Sequence, residues 1–395
     1  MTHNKGTNSE VFKASSQYVY LDLIRGIAAL AVFAGHLRII CFRDVNISTL
    51  DLLGKGVFFL TGFGHLAVIL FFVLSGFLII KSINESVIKK KWSVKTYGQN
   101  RLFRLWIVLI PCLLIGLILD RIGIEYWGDS LFYSNQWKYF YNQDISNKLT
   151  PSIFFGNLSF LQTILVPPLG SNSALWSLCN EFWYYVLFPL FYFAANRSCT
   201  LVVRIFLTFA GICVLFFIGS EIFLMFPIWL LGGFSYFIAK NLNKKHLQSK
   251  KLLILISSLF VMTLLMNRMK FHVEVFNFYI IAFFFSIAIP FLINSKFKYN
   301  VTRSISTYLS NISYTLYLSH LPFIYLLTSI LHFQDELWSN TNFLIFMGVL
   351  ALTMIYATCL WFLFERNTKK IKARLITLFS RLNKYAVITK IYPKY

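Results

Sequence analysis

Residues 20–37 read YLDLIRGIAALAVFAGHL, and this stretch decides the fold. Apart from Asp22, Arg25 and His36 it is built from apolar residues, tyrosine and glycine. A bilayer span needs about 20 largely apolar residues, and with its flanks the segment 19–40 reaches that length. Ionisable groups inside a span cost a few kcal/mol each on insertion scales, so three on one helix mark a candidate functional face. Asp22 and Arg25 stand at i, i+3 and can pair. Arg25 and His36 are eleven residues apart, close to three full turns, so both project from one face about 16 Å apart along the axis. The alternative is a snorkelling arginine at a helix end and a hydrogen-bonded core histidine.

Working outward, the same length test selects 57–80, 102–120, 174–195, 201–219, 221–239, 252–270, 275–294, 307–331 and 342–365. The expected architecture is an all-α integral membrane bundle of about ten transmembrane helices. Composition agrees: 57% of residues are apolar, 18% aromatic and 13% charged, against about 25% charged in soluble domains. The net charge of +22 does not indicate a nucleic-acid partner, because the basic residues are not gathered on a solvated patch. They alternate from one inter-span segment to the next. Lys5, Lys13, Lys81, Lys89, Lys90, Lys91, Lys95 and Arg101 fall on one side. The five lysines of 240–251, then Lys296, Lys298, Arg303 and the basic tail from Arg366, fall there too. That asymmetry predicts that both termini are cytoplasmic.

The opposite side receives 41–56, 121–173, the turns at 219–221 and 269–274, and 332–341. Within the long outer segment, PSIFFGNLSFLQTILVPP (151–168) is apolar but too short to span, which suits a re-entrant or interfacial segment. The first eighteen residues lack a signal-peptide core, so the first helix is expected to be retained. Cys41, Cys112, Cys179, Cys199, Cys213 and Cys359 show no CxxC pairing and read as small core residues; no metal site is expected. The expected divisions are a cytoplasmic segment 1–18, a transmembrane domain 19–366 and a basic cytoplasmic tail 367–395.

Four further stretches carry polar groups. FFVLSGFLIIK (71–81) holds Ser75, and YGQNRLFRLW (97–106) holds Arg101 and Arg104, two guanidinium forks on one face suited to phosphate oxygens. Positive-inside anchors would look the same. ALWSLCNEFWYYVLFPL (174–190) holds Trp176 and Glu181. Counted inward from the outer surface, Glu181 and His36 reach a similar depth, about 10 and 6 Å, so a carboxylate–imidazole pair is expected. The other reading is a structural ion pair. ISYTLYLSHLPF (312–323) holds Tyr314, Tyr317 and His320, and Glu365 follows at the end of the last span. His320 and His65 each stand alone on apolar helices, a pattern more typical of a satisfied core histidine.

Taken in order, these stretches resemble the acyltransferase family 3 membrane proteins from about Tyr18 to Arg366. Arg25 and His36 match the family's Arg-x10-His signature and Arg101-Leu-Phe-Arg104 its Arg-x-x-Arg signature; FFVLSGFLI, WSLCNE and SYTLYLSHLP match further family stretches. The chain departs from the family's Gly-Val-polar run at Ala67, Val68 and Ile69. It also lacks the Pro of Glu-x-Pro, where Glu365, Arg366 and Asn367 stand, and its Pro after Arg-x-x-Arg is delayed to Pro111.

The resemblance implies acyl transfer, with acetyl the expected group, from cytoplasmic acyl-coenzyme A to a hydroxyl of a surface polysaccharide or lipid-linked glycan in a bacterial cytoplasmic membrane. Acyl-coenzyme A is then a donor substrate rather than a resident cofactor. Arg101 and Arg104 would hold its phosphates. His36 would be the general base or carry the acyl group, Glu181 would support the imidazole, and Arg25 would bind donor or stabilise an oxyanion. The competing classes are a transporter or flippase of a lipid-linked sugar or acyl group, and a glycan polymerase. The first should show inverted repeats and the second an Arg-rich outer loop; 121–173 has only Arg121.

Overall fold

The computed structural model describes residues 18–134, 136, 144–268, 274–295 and 300–377. Lys5, Lys13, Lys296, Lys298 and the tail beyond 377 lie outside the described residues. Within them the chain is helical, without a β-strand. Helix α1 spans Val19–Cys41, and a short α2 (Leu52–Leu60) leads through a 3₁₀ turn into α3 (Gly64–Ile88). The single span expected over 57–80 is thus two helices with a break at Thr61–Phe63. Helix α4 (Val94–Trp127) runs well past both ends of the expected 102–120, since Ser93 caps its first turn by accepting from Thr96 N. Arg101 and Arg104 consequently lie inside the helix rather than at its start.

The apolar stretch 151–168 folds as α5 (Pro151–Leu158) and a loop. Thr150 caps it and Pro151 occupies the first turn, where a missing N–H costs nothing. Asn157, fully buried, donates to the carbonyls of Ile153 and Pro167 (2.9 Å each) and accepts from Leu169 N (3.2 Å), so the loop's backbone is satisfied from inside. Trp106 and Trp183 donate to the carbonyls of Leu158 and Phe160, tying the segment to α4 and to α6 (Trp176–Ala195).

Residues 201–241 form α7 (Leu201–Asn241), broken only at Gly219, where φ is 77° and ψ is 174°. That conformation is open to glycine, and it is where the sequence separates two spans. Then come α8 (Lys244–Leu247), α9 (Lys250–Arg268), α10 (Glu274–Asn294), α11 (Asn300–Ile330) and α12 (Asn340–Leu363). At the end of α12, Asn367 Nδ2 donates to the carbonyls of Phe362 and Leu363 (3.1 and 3.0 Å), and helix resumes through Thr377.

Helix α1 packs between α11 and α3, and α3 crosses α7. A Cβ on Gly76 would overlap the Trp229 carbonyl oxygen, and one on Gly232 would overlap that of Val73. The α3–α7 crossing therefore brings backbone against backbone, as small residues permit in membranes.

Seven helices among the described residues are long and apolar enough to cross a membrane. Helices α6 and α11 fall outside those seven, and they carry Ser177, Glu181, Tyr314, Tyr317 and His320. The cysteine reading holds for Cys41, Cys112 and Cys179, which are buried; Cys213 and Cys359 are exposed instead, and all six thiols are free. Occurrence in an apolar stretch does not separate core from lipid-facing positions when both are apolar.

Candidate active site

A cavity of about 1020 Å³ lies among α1, α3, α4, α6, α11 and the segment after α12. On α11 the lining residues Ser310, Ser313, Tyr314 and Tyr317 recur at i, i+3, i+4 and i+7, one polar stripe of a helix. That spacing is legible in the sequence and singles out Ser310 and Ser313 beside the two expected tyrosines.

One end of the cavity is basic. Arg101 and Arg104, one turn apart on α4, meet Arg366 and Lys369 from the segment after α12. Arg104 is exposed to the cavity and makes no hydrogen bond or ion pair among the described residues. Arg101 touches Ser82 Oγ at 3.3 Å and lies over the rings of Tyr97 and Tyr185, 5.5 and 5.9 Å from their centroids. Its Nε is buried with no acceptor among the described residues. A buried donor in that condition is costly.

Arg25 also lines the cavity, pinned in place. It bonds Asp22 Oδ1 at 2.5 Å and donates from Nε to Ser310 Oγ at 3.0 Å, while Ser310 reaches the same carboxylate at 3.1 Å. The expected Asp22–Arg25 pair thus forms and locks α1 to α11. Glu365 accepts from Thr315 Oγ1 at 2.5 Å, within electrostatic range of Arg25 and Arg104.

Glu181 faces the same cavity and is held by hydroxyls. It accepts from Ser75 Oγ at 2.8 Å and from Tyr185 OH, while Trp229 Nε1 donates to Ser75 Oγ at 3.2 Å. The expectation that Glu181 pairs with His36 is corrected: the residue that meets His36 is His320. His36 Nδ1 and His320 Nε2 are 2.8 Å apart and the rings are parallel within 7°. Counting residues gave depth along each helix and left the direction around it undetermined; α6 turns Glu181 toward α3, whereas α11 turns His320 toward α1. His320 is a satisfied core histidine as expected, fully buried and bonded to carbonyls of its own helix, and it meets His36 in addition.

The cavity ends at Tyr317, whose hydroxyl is 2.6 Å from Ser177 Oγ and whose ring meets Phe71 edge-on. The His320 ring lies just beyond, with its centroid 6.2 Å from that of Tyr317. Trp176 stands apart from the basic end, its ring 6.4 Å from that of His65 and 6.1 Å from that of Phe72. From the basic end to the histidine pair, the site offers cations with Glu365 among them, then the Glu181 carboxylate and hydroxyls, then two imidazoles.

A family model described as an acyltransferase domain matches residues 18–362. The acyltransferase MdmB of Streptomyces mycarofaciens is 30% identical over 174 residues, which is 43% of this chain and 38% of the relative. The match therefore spans well under half of that relative's length. No solved structure matches.

Proposed function

The chain belongs to acyltransferase family 3, and from that premise we propose that it moves an acetyl group from cytoplasmic acetyl-coenzyme A to a hydroxyl of a surface polysaccharide or lipid-linked glycan. The observation that carries this reading is the layout of the cavity: arginines at one end, and an inner end within one ring of the His36–His320 pair. Phosphates suit Arg101 and Arg104, which offer planar forks and an unsatisfied N–H. The slender, uncharged arm of the donor would pass Glu181 and Tyr314 and bring its thioester toward Tyr317. Arg25 belongs with the donor, because about 16 Å of helix separates it from His36, too far to stabilise an oxyanion formed beside that ring.

In this scheme His36 takes the acceptor hydroxyl's proton as the oxygen bonds to the thioester carbonyl carbon. The carbon–sulfur bond then breaks, the departing thiolate receives a proton, and the products are an ester and the coenzyme A thiol. A neutral imidazole suits such a step near pH 7. The proposed setting is a bacterial cytoplasmic membrane, with about ten spans, both termini cytoplasmic, domain limits at 19–366 and a basic tail from 367.

The test is transfer of radiolabelled acetyl from acetyl-coenzyme A to alkali-deacetylated cell envelopes by membranes containing this chain. Transfer that needs the chain and is lost in His36→Ala supports the reading. Equal labelling with and without the chain overturns it.

A further inference from the structure

We propose that His320 is a positioning residue that fixes the His36 imidazole in the tautomer with its proton on Nδ1, leaving Nε2 as the basic nitrogen. The inference rests on the reading of His36 as the base. It follows from which atoms can accept. His320 Nδ1 lies 2.9 Å from the Leu316 carbonyl oxygen and 3.0 Å from that of Tyr317. Carbonyl oxygens only accept, so this nitrogen carries hydrogen. In the neutral ring Nε2 then holds a lone pair, and the atom 2.8 Å from it, His36 Nδ1, must be the donor. A neutral His36 protonated at Nδ1 has its lone pair on Nε2.

Burial makes this arrangement the favoured one. His320 has no exposed surface, so a second proton on its ring would place a charge where water cannot reach it. Phe33 packs edge-on against the ring, 6.0 Å between centroids and 73° between planes, and Tyr317 closes another side. The histidine is held by two backbone acceptors of its own helix and by the α1–α11 contact, as second-layer partners commonly fix the tautomer of a working histidine. The more exposed ring, His36, does the chemistry, and the buried one sets its orientation.

The experiment compares His36→Ala, His320→Leu and His320→Gln in the acetyl-transfer assay, with membrane content and melting temperature measured for each. The expected result is a kcat for His320→Leu lower by about 10–100-fold with the KM for acetyl-coenzyme A unchanged. His320→Gln, whose amide oxygen can accept from His36 Nδ1, should recover most of that loss. A role in packing alone would make Gln no better than Leu at equal melting temperature, and that result overturns the inference, as does full activity in His320→Leu. Full activity in His36→Ala would instead remove the underlying assignment of the base. Should His320→Leu fail to insert, His320→Asn takes its place, since its amide is too short to reach; activity equal to that of His320→Gln would then sink the idea.

Discussion

Ser177 Oγ and Tyr317 Oη lie 2.6 Å apart, both buried, and bridge α6 to α11 at the inner end of the cavity. Removing one partner leaves the other buried and unsatisfied, at a cost of about 1–3 kcal/mol. Ser177→Ala and Tyr317→Phe should each lower the melting temperature in detergent, and the double variant should cost less than the sum of the two. Strictly additive losses would show that the hydroxyls are not coupled.

Arg101→Lys and Arg104→Lys keep the charge and discard the fork. Charge-assisted bonds contribute about 1.5–3 kcal/mol, so each variant should weaken acetyl-coenzyme A binding by roughly tenfold or more, measured by calorimetry on protein in nanodiscs. Unaltered affinity in both would reduce these arginines to membrane-interface anchors.

Because Glu181 bonds Ser75 and Tyr185 and His36 meets His320, the two should act independently. Glu181→Gln and His36→Ala are expected to give losses that multiply in the acetyl-transfer assay. If the double variant is no worse than His36→Ala alone, they work as one unit and the separation drawn from the geometry is wrong.

At the α3–α7 crossing, Gly76→Leu should abolish accumulation of monodisperse protein on size-exclusion chromatography. Its side chain would have to occupy the volume of the Trp229 carbonyl. Gly98→Ala, where a Cβ meets nothing within 4 Å, should leave the elution profile unchanged. Normal accumulation of Gly76→Leu would mean that the two helices are farther apart than described.

Asn147 and Lys245 are both exposed and, on the charge asymmetry, lie on opposite sides of the membrane. In a chain freed of its six native cysteines, Asn147→Cys should react with an impermeant maleimide added outside, and Lys245→Cys only after permeabilisation. Labelling of both from the same side would discard the proposed orientation.

What the sequence made legible was local. Asp22 and Arg25 are three residues apart on a helix, so their pairing follows from helical geometry and is present at 2.5 Å. The recurrence of Ser310, Ser313, Tyr314 and Tyr317 marks a polar stripe for the same reason. Glu181 and His36 sit on different helices, and axial counting gives depth while leaving rotation about each axis open. His320 looked ordinary because its partner is 284 positions away. Breaks were read unevenly: the sequence separates two spans at Gly219, where the helix is interrupted, whereas the break at Thr61–Phe63 lies inside an apolar run that carries no such signal. Helices α6 and α11 were selected as spans from the sequence but fall outside the seven long, apolar helices among the described residues, since the side chains that serve the cavity dilute their apolar signal.

The distribution of charge along the cavity works as a keying device. Four cations stand at one end, and beyond them Glu181 presents a carboxylate engaged by hydroxyls. A molecule with several negative charges at its head and a neutral tail meets attraction at the entrance and repulsion if it advances head first. The same molecule entering tail first meets neither obstacle. For the donor proposed above, this layout favours tail-first insertion, which would bring the reactive terminus toward Tyr317 and the paired imidazoles by electrostatics that act before any atom of the reaction is touched.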